Sequence, residues 1–327
     1  DIVPLPNRVI TSEVDNPFYF PLNGRNAVGI GNVKGIAAVT RALSQGQVGD
    51  HDLAVFSTDG IWVLKVSPEG TYMTAHNISR EVCSNVESIC QLDQSIVFAT
   101  QRSLSKFVES DVVSISDMLD GPIPKLTDMF PALAQKFSGD DDITNLLDFG
   151  TPAVEMFNKG RVFYDYASQR VIVLPKEGNV ALVFSIRDIA WSTMIVPAIK
   201  AVIPGYPSPF VQLGDGKVMI LDKKYGYEGD ERKSGLIITR TLTFSDTMDV
   251  LRGFRQMTDS AEMPILFFFG SNDQRNWSYI GNSAREYYNY LPGHPYRFFR
   301  VAISMSLLPR EEYQQLELEV VNKYTKL

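Results

Sequence analysis

The sequence is poor in the residues from which reactive centres are usually built. Of its 327 residues only two are cysteines, Cys83 and Cys90, and three are histidines, His51, His76 and His294. Two cysteines are too few for the disulfide framework of a small secreted domain. They read as a pair of reduced, buried thiols, with a single disulfide as the alternative. No Cys-x-x-Cys is present and the histidines are scattered, so no metal site is expected. No Gly-x-Ser-x-Gly elbow occurs, and three histidines leave poor odds for a Ser-His-Asp triad. No catalytic residue and no cofactor is therefore expected.

Positive charge is also scarce. The formal net charge is −7 and no useful run of Lys or Arg exists, which argues against broad nucleic-acid binding. Long apolar runs are missing too. The tightest cluster, "MPILFFF" from Met263 to Phe269, has the length of a strand. It falls far short of the roughly 18 residues of a membrane helix. No membrane insertion is expected, and no basic region followed by an apolar core marks a signal peptide. The first residue is Asp1 rather than Met, as in a processed chain or a piece of a longer one.

Two motifs invite chemistry and lose it on inspection. "VGIGNVKG" carries Gly29, Gly31 and Gly35, but the third glycine is one residue late for a dinucleotide loop. These glycines read as turn and close-approach positions. "GDDD", Gly139 to Asp142, offers carboxylates for a cation, yet three consecutive side chains cannot all face one ion. A helix N-cap before "ITNLL" accounts for them.

What the sequence does have is strands. Runs of four to eight residues rich in Val, Ile, Phe, Tyr and Thr alternate with Gly, Asp, Asn, Ser or Gln turns. Four hairpins echo one another: "VFSTDGIWVL" turning near Asp59, "VFATQRSLSKF" near Gln101, "YDYASQRVIVL" near Ser168 and "VQLGDGKVMIL" near Asp215. The first two turns are about 42 residues apart and the last two roughly 46, while the middle gap is about 67. That gap holds the one helical segment, and without it the spacing returns to 40–45 residues. Repeats of that size built from short antiparallel strands are what propeller blades look like. Phe56 to Leu64 reads as the inner hairpin of such a blade. Asp59-Gly60 would reverse the chain, and Trp62 would fill the space between sheets.

The helical insertion spans about residues 115–149. Two short helices are expected there, with Asp128 as an N-cap and Met129, Leu133 and Phe137 on one face. It reads as a lid over an edge or end of the sheets, with a partner-docking element as the alternative. The charged, glycine-punctuated "KKYGYEGDERKSG", Lys223 to Gly235, reads as a loop and a domain boundary. The strands beyond it are longer and suggest a second β body. The expected class is thus all-β, with propeller-like repeats, a small helical insertion and a C-terminal β-sandwich-like domain. The expected divisions are an extended arm over 1–23, the propeller-like domain over 24–235 and the C-terminal domain over 236–327.

Two stretches of the C-terminal part stand out as contact candidates. In "GSNDQRNWSYI" a polar turn of Ser271, Asn272 and Asp273 precedes Trp277. Turns of this kind in carbohydrate-binding sandwiches use Asn and Asp to hold the backbone and Trp in the core, with sugar stacking as the sharper option. "REYYNYLPGHPYRFFR" is dense in aromatics and arginine, including Tyr287, Tyr288, Tyr290 and Arg297, and would be a contact surface if exposed.

Several stretches, "LSQGQVGDHDLAVFSTDGIWVL", "ISREVC", "SIVFAT", "GSNDQRNW" and "PYRFFRVAI", are similar to segments of uncharacterised tail or virion structural proteins of phages and prophages of gut anaerobic bacteria. The resemblance covers about Leu43 to Asn322. It implies a propeller-like β body in a virion-associated protein, found in the bacterial cytoplasm before assembly, and supplies no catalytic residue. The expectation is a non-enzymatic structural or assembly protein whose partners are other tail proteins or copies of itself. A carbohydrate- or receptor-binding module is the alternative, and a glycan-cleaving enzyme on a propeller scaffold the third.

Overall fold

The computed structural model describes residues 4–13, 15–39, 52–66, 72–73, 76–108, 111–119, 125–221, 233–289, 291, 293–308 and 311–322. His51, Tyr290 and most of the loop expected over Lys223–Gly235 lie outside the described residues. The chain is all-β and built from several small antiparallel sheets. It divides into two compact units, Asp1–Ile123 with Thr151–Lys223, and Pro124–Gly150 with Lys224–Leu327.

The first unit opens with a hairpin of β1 (Arg8–Ile10) and β2 (Arg25–Ala27). A first sheet follows from β3 (Val33–Val39), β4 (Asp52–Ser57), β5 (Gly60–Val66), β6 (Tyr72–Met73) and β7 (Asn77–Ser79). The second sheet is β8 (Asn85–Gln91), β9 (Ile96–Ala99), β10 (Leu104–Val108) and β11 (Asp111–Ser114), in sequential order. The third is β12 (Arg161–Asp165), β13 (Arg170–Leu174), β14 (Val180–Ser185) and β15 (Ala190–Ile195). The fourth has three strands, β16 (Ile199–Ile203), β17 (Phe210–Leu213) and β18 (Val218–Ile220). The second, third and fourth sheets are meanders, in the first sheet both β6 and β7 pair with β5, and the first strands β3, β8 and β12 are neighbours in turn.

Side-chain alternation explains the stacking. Along β4 and β5, Phe56, Ile61 and Val63 join Ile96, Phe98 and Phe107 of the second sheet in one core. The opposite face, with Val55 and Leu64, packs on Val9 and Val28 of the β1–β2 hairpin. Strands of the two middle sheets are buried on both faces, as in Ile96–Ala99 and Val171–Leu174, because each has a neighbouring sheet on either side. The segment 1–23, expected as an extended arm, supplies β1 and buries Val9 against the first sheet.

The structure corrects two details of the repeat. The turns at Asp59, Gln101 and Asp215 each join the second and third strands of their sheets, but Ser168 lies between the first and second strands of the third sheet. The equivalent turn there is Pro175–Asn179, between β13 and β14. Both hairpins of that sheet have the same alternation and polar turns, so periodicity alone could not choose between them. Trp62 also points away from the second sheet. It packs beside Leu64 against the N-terminal hairpin, because neighbours along a strand face opposite sides.

Asp59 shows how that corner is held. Its carboxylate accepts N–H bonds from Ile30 at 2.9 Å and Gly31 at 3.2 Å, and from the Trp62 indole at 3.1 Å. Gly29 has φ +57°, and a Cβ there would collide with the Asp59 carboxylate and the Trp62 ring. The glycines of "VGIGNVKG" therefore let one turn close over another. At Gln101, where no glycine is available, the Thr100 hydroxyl accepts the N–H groups of Arg102 and Ser103 and makes the turn.

Four short α-helices follow β11 among the described residues: α1 (Leu126–Met129), α2 (Pro131–Lys136), α3 (Asp141–Leu147) and α4 (Ala153–Lys159). Asp128 is not the expected N-cap. It lies inside α1, and Phe130 caps α2 at Pro131 without a side-chain bond. Asp140 is a true cap of α3, accepting the Ile143 N–H at 3.1 Å. The insertion interrupts the first unit in the chain, but α1–α3 belong to the second.

The second unit is layered. One sheet runs β19 (Lys233–Ile238), β24 (Phe298–Leu307), β21 (Ile265–Ser271), β22 (Ser278–Ser283), and the other runs β23 (Tyr287–Tyr288), β20 (Asp249–Thr258), β25 (Tyr313–Asn322). Leu266, Phe268, Phe299, Val301 and Ile303 face Leu251 and Phe254 of the second sheet. Phe267, Phe269 and Ala302, one step along the same strands, face Phe130, Leu133, Ile143 and Leu147 of the helical segment. The run "ILFFF" is thus continuous because both faces of β21 are covered.

Candidate functional site

Among the described residues, the predicted C-terminal contact candidates divide between core and surface. Trp277 is only 9% exposed and packs against Phe130, with ring centres 6.1 Å apart. The Arg300 guanidinium sits 4.9 Å from its ring centre and donates to the Thr241 hydroxyl at 3.3 Å. Burial disfavours the charged guanidinium and pushes the Arg300 pKa below its ordinary value, and the ring face offsets part of that cost. Trp277 is a core residue of the helix–sheet layer, and a sugar cannot stack on it.

Asn272 and Asp273 are exposed but occupied with their own turn. The Asp273 carboxylate accepts the N–H of Asn276 at 2.8 Å and of Arg275 at 2.9 Å, and also the Asn276 side-chain amide at 2.7 Å. These donors hold its carboxyl well below the ordinary carboxylate range. Asn272 accepts the Arg297 N–H at 3.1 Å and so ties the turn to the start of β24. Gln274 takes the left-handed backbone, φ 61°, that this tight loop needs. Tyr288 packs on Phe254 with its ring under Arg285, whereas Tyr287 and Arg297 are exposed. Tyr290 falls outside the described residues.

A different cluster has the better claim. It lies in the first unit, where the loops between first and second strands of the second, third and fourth sheets come together. Tyr164 at the end of β12 is buried and donates to the Asp93 carboxylate at 3.3 Å. Tyr166 donates to the Gln91 carbonyl at 3.3 Å and meets Tyr164 edge-on, 4.5 Å between centres. Tyr206, 84% exposed, meets Tyr166 edge-on at 5.7 Å. The three rings form a chain from core to solvent. Burial, with the Asp93 charge adding to it, pushes the Tyr164 phenol up to about 12, and burial also raises Tyr166. Both therefore stay protonated donors at neutral pH.

Sequence reasoning read "YDYASQRVIVL" only as a hairpin. The cluster joins residues 71 and 75 positions apart, so no local signal reveals it. Cys83 and Cys90 are free and buried, and burial pushes the Cys90 thiol up to about 12, which makes it unreactive. Among the described residues no group of three or more His, Cys, Asp or Glu side chains is placed to hold a metal. No described helix is long and apolar enough to cross a membrane. Compared with protein-family models and with curated proteins, the sequence matches none.

Proposed function

We propose that the chain is a non-enzymatic structural or assembly protein of a phage or prophage tail, associated with the virion and acting through protein–protein contacts. The observation that carries this reading is the segment joining β1 to β2. It is tied across by Thr11 N–H to the Gly24 carbonyl at 2.9 Å and Glu13 N–H to the Tyr19 carbonyl at 2.8 Å. It holds Phe18, Tyr19, Phe20 and Leu22 in solvent, with Phe18 90% exposed. Consecutive large apolar side chains held out by a hydrogen-bonded frame mark a contact site. Particles from an induced lysogen, purified on a density gradient and analysed by mass spectrometry, will contain the chain in fixed ratio to the capsid protein. Recovery of the chain only from the particle-free lysate would overturn the reading.

A second reading, as a carbohydrate or receptor binder, is supported by the Tyr164–Tyr166–Tyr206 chain beside Asp93. An exposed ring at the outer end of a tyrosine chain suits a hydroxylated ligand. On this reading glycan-array binding is lost in Tyr206→Ala and retained in Tyr287→Ala. Loss in Tyr287→Ala alone would return the site to the second unit.

A further inference from the structure

The row of sheets in the first unit is finished at one end and open at the other. At the first sheet, the β1–β2 hairpin covers the outer face with Val9 and Val28. At the fourth sheet, one face packs on the third through Ile199, Val202 and Leu221. Among the described residues, the other face is left exposed. Its register places Ile203 opposite Phe210 and Phe210 opposite Ile220, with Ala201, Gln212 and Val218 forming the next row. Ile203 is 61% exposed, Phe210 41%, Val218 61% and Ile220 55%. A lone exposed Ile is ordinary, but a cross-strand row of three large apolar side chains, with Val218 exposed in the next row, is not. In each earlier sheet of the row, a face with this pattern is covered by another antiparallel sheet or hairpin.

We propose that a second copy of this chain covers the open face of the fourth sheet, the two copies meeting by the same surface around a two-fold axis. Three observations select this occupant. The face continues a series of sheet-on-sheet contacts within the chain, in which such apolar rows are met by another sheet. Its rows hold no charged side chain, and a face that meets itself must avoid placing like charges together. The first sheet's outer face is closed by the hairpin, which blocks head-to-tail stacking of one copy's first sheet on another's fourth and leaves self-pairing.

The inference rests on the reading of the chain as a contact protein, but its test is separate from the particle analysis above. The chain sedimented at about 100 µM will have twice the mass of its 36.6 kDa monomer. Val218→Lys with Ile220→Lys will sediment as a monomer, with unchanged circular dichroism. Val113→Lys, at another exposed apolar site, will remain dimeric. If the double variant does not fold, Val218→Cys carries the test, because the native thiols are buried. Its thiol will react with a maleimide at least ~10-fold more slowly at about 100 µM than at about 1 µM chain. A monomeric wild type, a dimer that survives both lysines, or equal labelling rates would overturn the proposal. Protection of the thiol in a monomer would show instead that the chain covers the face itself. A chain that is found in particles but fails these tests keeps its proposed function and loses only its self-association.

Discussion

The two units use the same antiparallel hairpins and bury them in different ways. In the first, short strands form four sheets stacked in a row, and a sheet's cover depends on its position in that row. In the second, strands of up to ten residues form two long-stranded sheets, and helices from an interrupting segment cover the outer face of one. The difference is visible residue by residue. Phe267 and Phe268 point to opposite sides of β21 and both are buried. Val211 and Val218 are also apolar, yet the first is buried and the second exposed. Apolar character therefore does not report burial; the number of neighbours a sheet has does.

The largest expected effects test that contrast directly. Phe267→Ala and Phe268→Ala should each cost about 3–5 kcal/mol in chemical denaturation, since each leaves a cavity in a separate core. A cost from only one of them would mean that β21 has one covered face. In the first unit, Val211→Ala should cost roughly 1.5 kcal/mol, and Val218→Ala should stay within about 0.5 kcal/mol in dilute solution.

Asp59→Asn comes next, at about 2 kcal/mol, because it weakens three hydrogen bonds to one carboxylate. Partial burial works to raise this carboxyl, but donors on Ile30, Ser57, Trp62 and Gly31 outweigh it and hold the group below its ordinary 3.8. The folded state then binds the proton more weakly than the unfolded chain. The Asp59 contribution is full above about pH 4 and fades as pH falls through the lower native value. Urea titrations of wild type and variant should converge over that acid range, and a constant gap would contradict the assignment. Asp140→Ala should cost about 1 kcal/mol through loss of the α3 cap, in the second unit only. The smallest change is a gain. Ile189 is exposed and sits at φ 50°, a region that β-branched residues avoid, so Ile189→Gly should stabilise the chain by about 1 kcal/mol in thermal unfolding.

Much of the fold was legible because it is local. Asp59-Gly60 marks its hairpin by turn chemistry, Asp140 marks a helix start, and alternation marks the short strands. The third repeat was misplaced because the hairpins at Ser168 and Gly178 look alike, and only pairing order separates them. Asp128 was misread because Pro131 breaks the apparent helix at Phe130. The role of Trp277 was open in the sequence, since an aromatic at a strand start can face helices or solvent. It was settled by α1–α3, which come more than a hundred residues earlier. Tyr206 gave no sign at all, because its partners come from two other loops.

Native-state hydrogen exchange in dilute solution tests the stacked row most directly. Amides of β9, β13 and β14, in sheets covered on both faces, should exchange at least ~100-fold more slowly than those of β18, in the sheet covered on one. Protection of β18 equal to that of β14, or exchange of β13 as fast as that of β18, would contradict the arrangement.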